Sequence, residues 1–353
     1  MPRLRVSLAF AVQSPPRLFL GREPRDLRAH EGLGRHRIQH HGLFAGPTLP
    51  RRALLAAPLL AAPASVAPAL GAAPLPVVAS FSILADMVQA IGGARVAVTS
   101  LVGPDQNAHG FQPRPSDARA AAAARVMVIN GLGFEAWAER LARSAGFSGT
   151  PVVASRGVKA LRAGAHAHGH GHGHSHAAGA PDPHAWQDVA NARLYVANIR
   201  DGLAAADPAS AAAYQAGASA YLAQLDALEA EIRAAWAPLP RPSRRIVTSH
   251  DAFLYYGDAY GVDFLAPQSA LSDTDPTPRQ IAALIAQIRR ERIRALFIEN
   301  ISSGTVLQQI ARETGTRLGA KVYSDALSGP AGPAPSYVAM MRHNTRQFVA
   351  ALS

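Results

Sequence analysis

The feature that most restricts the fold is a strand–helix alternation that runs twice, once on each side of a long amphipathic stripe. Apolar runs at Val77–Phe81, Val96–Leu101, Val126–Asn130 and Val152–Ala154 read as buried strands, with helical stretches at Ile83–Ile91, Ser116–Ala124 and Phe134–Ser144 between them. A strand, a helix and a second strand in this rhythm imply a mainly parallel sheet with helices on its faces. The rhythm resumes after Pro238-Leu239-Pro240, with strands expected at Ile246–Ser249, Asp263–Ala266, Leu296–Glu299 and Ala320–Ser324. Helices at Asp251–Tyr260, Arg279–Glu291 and Thr305–Gly315 fill the gaps, and Ser336–Ala350 closes the chain. Between the two series lie a helix at Val189–Ala205 and a longer one at Pro208–Trp236. The longer one carries Tyr214, Ala218, Tyr221, Leu225, Leu228, Ile232 and Trp236 in steps of three and four, a single apolar stripe. A helix of that length, roughly 43 Å, predicts a strut joining two similar α/β lobes.

The domain plan follows. Residues 1–73 form a leader, 74–206 an N-terminal lobe, 207–238 the linking helix and 239–353 a C-terminal lobe. The leader holds ten Arg and three acids, so most of the formal charge of +11 belongs to it. With no basic run interleaved with aromatics elsewhere, the charge does not predict a nucleic-acid groove. Arg51-Arg52 followed by Ala53-Leu54-Leu55-Ala56-Ala57 reads as the basic and apolar parts of an export signal, cleaved near Ala73 into the periplasm. Five prolines between Pro58 and Pro76 argue against a membrane anchor. A twin-arginine and a general secretory signal fit nearly equally. Because a signal starts close to its basic region, residues 1–45 are expected to precede the natural start. There is no cysteine, which excludes disulfides, thiolate metal sites, cysteine nucleophiles and a lipid-modified terminal cysteine.

Histidine is where the chemistry concentrates. His166, His168, His170, His172, His174 and His176 alternate with Gly, Ala or Ser in a low-complexity insert at 163–180. Such a stretch cannot build a core, and it predicts an auxiliary, low-affinity chelator for Zn²⁺, Cu²⁺ or Ni²⁺. Three other histidines sit in loops: His109 in Gly-Pro-Asp-Gln-Asn-Ala-His-Gly-Phe-Gln-Pro-Arg-Pro, His184 in Asp-Pro-His-Ala-Trp-Gln-Asp, and His250 in Thr-Ser-His-Asp-Ala-Phe. His250 directly follows an expected strand, and so does Asp325 in Tyr-Ser-Asp-Ala-Leu-Ser. Ligands in open parallel sheets bind beyond the carboxyl ends of the strands, so two donors from each lobe meet across one cleft. Three imidazoles and a carboxylate make a reasonable tetrahedral zinc set, although a structural role for each histidine stands beside that reading. Asp105 is read as loop chemistry, Glu299 as a support behind the ligands, and His343 as a surface or capping residue of the last helix.

With these motifs, and with Phe297-Ile298-Glu299-Asn300 and the stretch 337–344, residues 76–353 resemble the zinc/manganese class of ABC-transporter solute-binding proteins, the ZnuA-like family. The resemblance implies two α/β lobes bridged by one long, rigid helix, and His109, His184, His250 and Asp325 as the metal ligands. It also implies a histidine-rich loop between the first and second ligands, where the insert falls. Manganese-binding relatives commonly carry glutamate at the position of His250, so a third imidazole favours Zn²⁺ over Mn²⁺. The expected partners are an inner-membrane permease and its ATPase, with the binding protein a monomer.

A zinc hydrolase is the reading from a different class, since three histidines also make a catalytic site with an open position. The chain has no His-Glu-x-x-His helix. Asp325 would fill the position that a polarised water needs. The expectation is therefore not an enzyme. A metal-binding adhesin or zinc chaperone would use the same site.

Overall fold

The computed structural model describes residues 73–162, 179–270 and 275–353, so the six insert histidines and the leader up to Ala72 lie outside the described residues. Strands β1 (Leu75–Phe81), β2 (Val96–Val102), β3 (Val126–Ile129) and β4 (Val152–Val153) form a parallel sheet in the order β2-β1-β3-β4. Helices α1 (Ser82–Gly92), α2 (Pro115–Ala123) and α3 (Ala136–Ser144) provide the crossovers that parallel pairing needs. After α4 (Val189–Ala206) and α5 (Ala211–Trp236) the plan repeats. Strands β5 (Arg245–Thr248), β6 (Asp263–Leu265), β7 (Ala295–Phe297) and β8 (Arg317–Leu318) form a second parallel sheet in the equivalent order, β6-β5-β7-β8. Helices α6 (Leu254–Tyr260), α7 (Pro278–Glu291) and α8 (Thr305–Thr314) connect its strands, and α9 (Tyr337–Leu352) returns to pack on α5.

The expected stripe of α5 is its buried face: Tyr214, Ala218, Tyr221, Leu225, Leu228, Ile232 and Trp236 are all buried. The helix packs against α4 and α1 of the first lobe and against α9, so the same row of side chains serves both lobes. One continuous core results. It runs from Val77 and Phe81 through Leu225 and Trp236 to Ile246, Phe297 and Phe348. A smaller apolar layer, with Val247, Leu296, Ile288 and Ile310, lies under α7 and α8. Two lobes that share a core in this way are fused along the strut.

Three local expectations are corrected. The strut starts at Ala211, because Pro208–Ser210 forms a 3-10 turn. Helix α6 starts at Leu254, three residues late, because Asp251 N–H bonds Gln268 O and Ala252 N–H bonds His250 O instead of entering a helix. No strand spans Ala320–Ser324. The last strand is Arg317–Leu318, and Val322 keeps only an isolated bridge to Glu299. Asp325 therefore sits in a loop held by other contacts. Among the described residues no helix is long and apolar enough to cross a membrane.

Candidate metal centre

The chain ends of β2, β5 and β7 open on the same side as the segment before α4, and each delivers one part of the site. The loop after β2 carries His109. Asn107 Oδ1 accepts the His109 backbone N–H at 2.8 Å, and the buried Ala108 carbonyl accepts Trp137 Nε1–H at 2.9 Å. The ring of Phe134 stands edge-on to His109, 4.6 Å between centroids, and also faces His184 and Trp186.

His184 is fixed more tightly. Asp182 Oδ1 accepts both its backbone N–H, at 2.8 Å, and its Nδ1–H, at 2.9 Å. Asn130, at the end of β3, donates to the preceding Pro183 carbonyl at 2.9 Å. His250 also has a carboxylate beside it, offered from past another strand, with a different oxygen facing each of its nitrogens. Glu299, just past β7, accepts its backbone N–H at 2.8 Å and lies 2.5 Å from its Nδ1. A carboxylate beside Nδ1 directs Nε2 at the cleft and, in the neutral ring that a metal needs, leaves that nitrogen free to bind. His109 has no such carboxylate among the described contacts.

Asp325 comes from the loop before α9. The side chain of Asn344 clamps Tyr323 by accepting its N–H at 3.0 Å and donating to its carbonyl at 2.6 Å. Trp186 Nε1–H and Gln187 Nε2–H both donate to Ser324 O at 2.9 Å. The segment that carries His184 thus also holds the residue before Asp325.

These four side chains converge, with one donor atom from each lying within 4.8 Å of all the others. His109 Nε2 is 3.0 Å from Asp325 Oδ2 and 3.3 Å from His184 Nε2; His250 Nε2 is 3.2 Å from Asp325 Oδ2; His184 Nε2 is 3.5 Å from Asp325 Oδ1. A tetrahedron with metal–ligand bonds of about 2.0–2.1 Å has edges of roughly 3.3 Å, so the spacing suits a small divalent cation with four donors. The environment suits one too. His184, His250 and Asp325 are buried, while the His109 side chain is 13% exposed and marks the way in. Buried His250 Nε2 and Asp325 Oδ1 make no hydrogen bond, an arrangement that a cation would resolve.

The electrostatics point the same way. Burial opposes a charge on His184, yet Asp325 and Asp182 outweigh it and push its pKa up to about 9. Burial likewise opposes a charge on His250, and Glu299 with Asp325 raises it well above the ordinary value. Burial would raise the Asp325 carboxyl, but the His184 and His250 charges hold it well below the usual carboxylate range. Three carboxylates around three imidazoles attract positive charge. His184 and His250, with their raised pKa values, also hold a proton more readily than an ordinary imidazole does.

The remaining sequence candidates divide. Glu299 lies behind His250 as expected. His343 is not a surface residue: it is buried, with Nε2 2.9 Å from Lys321 O and its ring beside Tyr323, away from the cluster. Asp105 reaches across to the other lobe, a role not foreseen. The orienting function of Asp182 was also missed. An Asp two residues before a loop histidine, able to accept that histidine's own N–H, was the signal for it.

Known proteins share this architecture. Residues 77–351 match the family model described as zinc-uptake complex component A, periplasmic. The chain is 35% identical over 280 residues to the manganese-binding lipoprotein MntA of Halalkalibacterium halodurans, covering 79% of this chain and 89% of that relative. It is 33% identical to the iron-binding protein YfeA of Yersinia pestis, covering 75% and 82%. Among solved structures, the periplasmic zinc-binding protein TroA from Treponema pallidum superposes with a TM-score of 0.72 at 26% identity, covering 80% of this chain and all of that one. The Mn-bound periplasmic metal-binding protein from Candidatus Liberibacter asiaticus gives 0.70 at 27% identity, covering 78% and 99%. Two fused α/β lobes around one polar, cation-attracting cluster, with a family match across nearly all the described chain, make this protein a member of the periplasmic zinc-uptake component A family, the metal-binding substrate-binding proteins of ABC transporters.

Proposed function

We propose that this chain captures Zn²⁺ outside the cytoplasmic membrane with His109, His184, His250 and Asp325, and hands it to a permease driven by an ATPase. The observation that carries the metal assignment is the donor set: three imidazole nitrogens against one ligating carboxylate. Nitrogen-rich, four-donor sites suit Zn²⁺, whereas Mn²⁺ prefers more oxygen donors. The named relatives bind manganese, iron or zinc, so kinship alone does not choose among them. Asp325 as fourth donor leaves no position for an activated water, which favours carriage over hydrolysis.

The test is a competition titration of the purified, demetallated protein with Zn²⁺ and Mn²⁺, repeated on His250→Glu. Zn²⁺ is expected to win in the parent, and the ratio to move towards Mn²⁺ in the variant. Tighter Mn²⁺ than Zn²⁺ binding by the parent overturns the assignment. Growth of a deletion strain in chelator-treated medium, restored by zinc and not by manganese, tests the transport half.

A further inference from the structure

We infer that Asp105 is a latch: an exposed positioning residue that ties the His109 loop to the Asp325 loop and to the segment that supports His250 in the other lobe, and sets how fast the metal leaves. The inference rests on the four-ligand reading of the site.

Asp105 lies in the turn after β2, four residues before His109, and is one of three non-glycine residues among those described with a positive φ, at 55°. That left-handed conformation is unfavourable for most side chains, though Asp tolerates it better than most. A glycine would meet the backbone requirement with less strain, so the side chain must be considered for what it contacts. The Asp105 N–H donates to Leu327 O at 2.9 Å. Its Oδ1 accepts Asn300 Nδ2–H at 3.0 Å, and its Oδ2 accepts the Gly329 N–H at 3.3 Å. Asn300 directly follows Glu299, the carboxylate behind His250. The same Asn300 amide also donates to Ala326 O at 3.2 Å, next to Asp325. One carboxylate therefore bridges the His109 loop, the His250 support and the Asp325 loop.

Several other ties between the lobes near the site, among the described residues, are buried. Trp186 and Gln187 hold Ser324, and Ser82 Oγ accepts the Leu327 N–H at 3.0 Å. Asp105 differs because it is exposed, and so water competes directly for its bonds. Its bonds can open while the buried ties keep His184 and Asp325 together. Opening there frees the loop of His109, which among the described contacts is also the imidazole of the three without a carboxylate beside Nδ1, and the most exposed of them. The geometry gives an order of release: the latch opens, His109 lifts, and the three buried donors let go last.

The experiment measures Zn²⁺ dissociation from the full chain by rapid mixing with excess chelator, together with the association rate and the melting temperature of the metal-free protein. Asp105→Gly keeps the left-handed turn and the backbone bond while removing both side-chain bonds. Asp105→Asn keeps an acceptor for Asn300 and loses the one for Gly329. Dissociation is expected to quicken roughly three- to thirtyfold in Asp105→Gly and less in Asp105→Asn, with association nearly unchanged. Asn300→Ala should quicken it as well, and the double variant Asp105→Gly/Asn300→Ala should fall clearly short of the product of the two effects, since one bond is common to both changes. Unchanged dissociation in Asp105→Gly overturns the latch, as does a double variant whose effects multiply. A lowered melting temperature with parental dissociation assigns Asp105 a structural role only and also overturns it. Failure of the site itself is read separately: His184→Ala that still binds Zn²⁺ tightly removes the ligand assignment whatever Asp105 does.

Discussion

At the scale of the residue, the three histidines are unequal although the sequence presents them alike. His184 and His250 each have a carboxylate on Nδ1, and His109 does not. Replacing His184 or His250 with Ala is expected to weaken Zn²⁺ binding more than His109→Ala, and His343→Ala should leave it unaltered; calorimetry gives the order, and His343→Ala with the largest loss would overturn it. Asp182→Asn and Glu299→Gln should each cost about 10- to 100-fold in affinity by loosening tautomer and orientation. The pH dependence follows from His184, whose pKa rises from an ordinary 6.5 to about 9 in the folded, metal-free protein. A raised imidazole pKa contributes stability that is full below 6.5 and is lost as pH rises through 9. Metal needs the neutral ring, so binding strengthens across that same window. The melting temperature of metal-free protein should therefore fall from pH 6.5 to 9 while the increment from Zn²⁺ grows. Binding at pH 7 should release protons, seen as a heat that changes with the buffer's ionisation enthalpy; a buffer-independent heat would contradict the protonated resting site. Which four side chains converge, and their loop positions, were legible in the sequence. Asp105 was not, because its partners Asn300 and Gly329 lie almost two hundred residues or more away and no local pattern marks them.

At the scale of the element, the strut was the clearest signal, since its spacing alone selects the buried face. What the spacing does not reveal is how closely α5 approaches its neighbour. Gly217 sits where a Cβ would lie 2.1 Å from the Ile91 carbonyl oxygen of α1. Backbone cannot yield as a flexible side chain can, so Gly217→Ala should force the helices apart and cost about 1–3 kcal/mol despite alanine's better helix propensity. Chemical denaturation reads the loss, and a neutral or stabilising Gly217→Ala would mean that α1 and α5 do not pack so tightly. The elements misjudged from sequence lie beside the site for a common reason. Residues 251–253 and 319–325 have the apolar character of helix and strand, but their backbone groups are used to hold His250 and Asp325: Ala252 N–H turns back to His250 O, and Tyr323 is clamped by Asn344. Local propensity gave way where the chain holds the side chains of the proposed site.

At the scale of the whole molecule, the insert joins the lobe at a point that makes its contribution separable. Arg162 and Pro181 form an antiparallel bridge, the Asp182 N–H donates to Leu161 O at 2.8 Å, and Tyr255 of the other lobe accepts from Leu161 N–H and donates to Asp182 O, both at 3.0 Å. The root of the insert is thus closed and pinned two residues before His184, independently of what lies between Arg162 and Gly179. Deleting residues 163–178 would leave Gly179-Ala180 as a two-residue loop between the bridged pair. Gly179 already has φ of 97°, so a glycine stands at the first loop position, as a tight hairpin turn prefers. The shortened protein should keep its melting temperature within a few degrees and bind one Zn²⁺ with unaltered affinity, while the weak additional ions on His166, His168, His170, His172, His174 and His176 disappear from the calorimetric trace. Solvated imidazoles titrate near pH 6.5, so in the parent those weak ions should leave as pH falls through roughly 6 to 7 while the cleft holds its own. If the insert gathers zinc for the cleft, a strain carrying the shortened protein takes up zinc normally when it is ample and poorly when a chelator makes it scarce. Equal uptake under both conditions would reduce the insert to a bystander, failure under both would make it part of delivery to the permease, and loss of the single tight site with the insert would remove the four-ligand assignment itself.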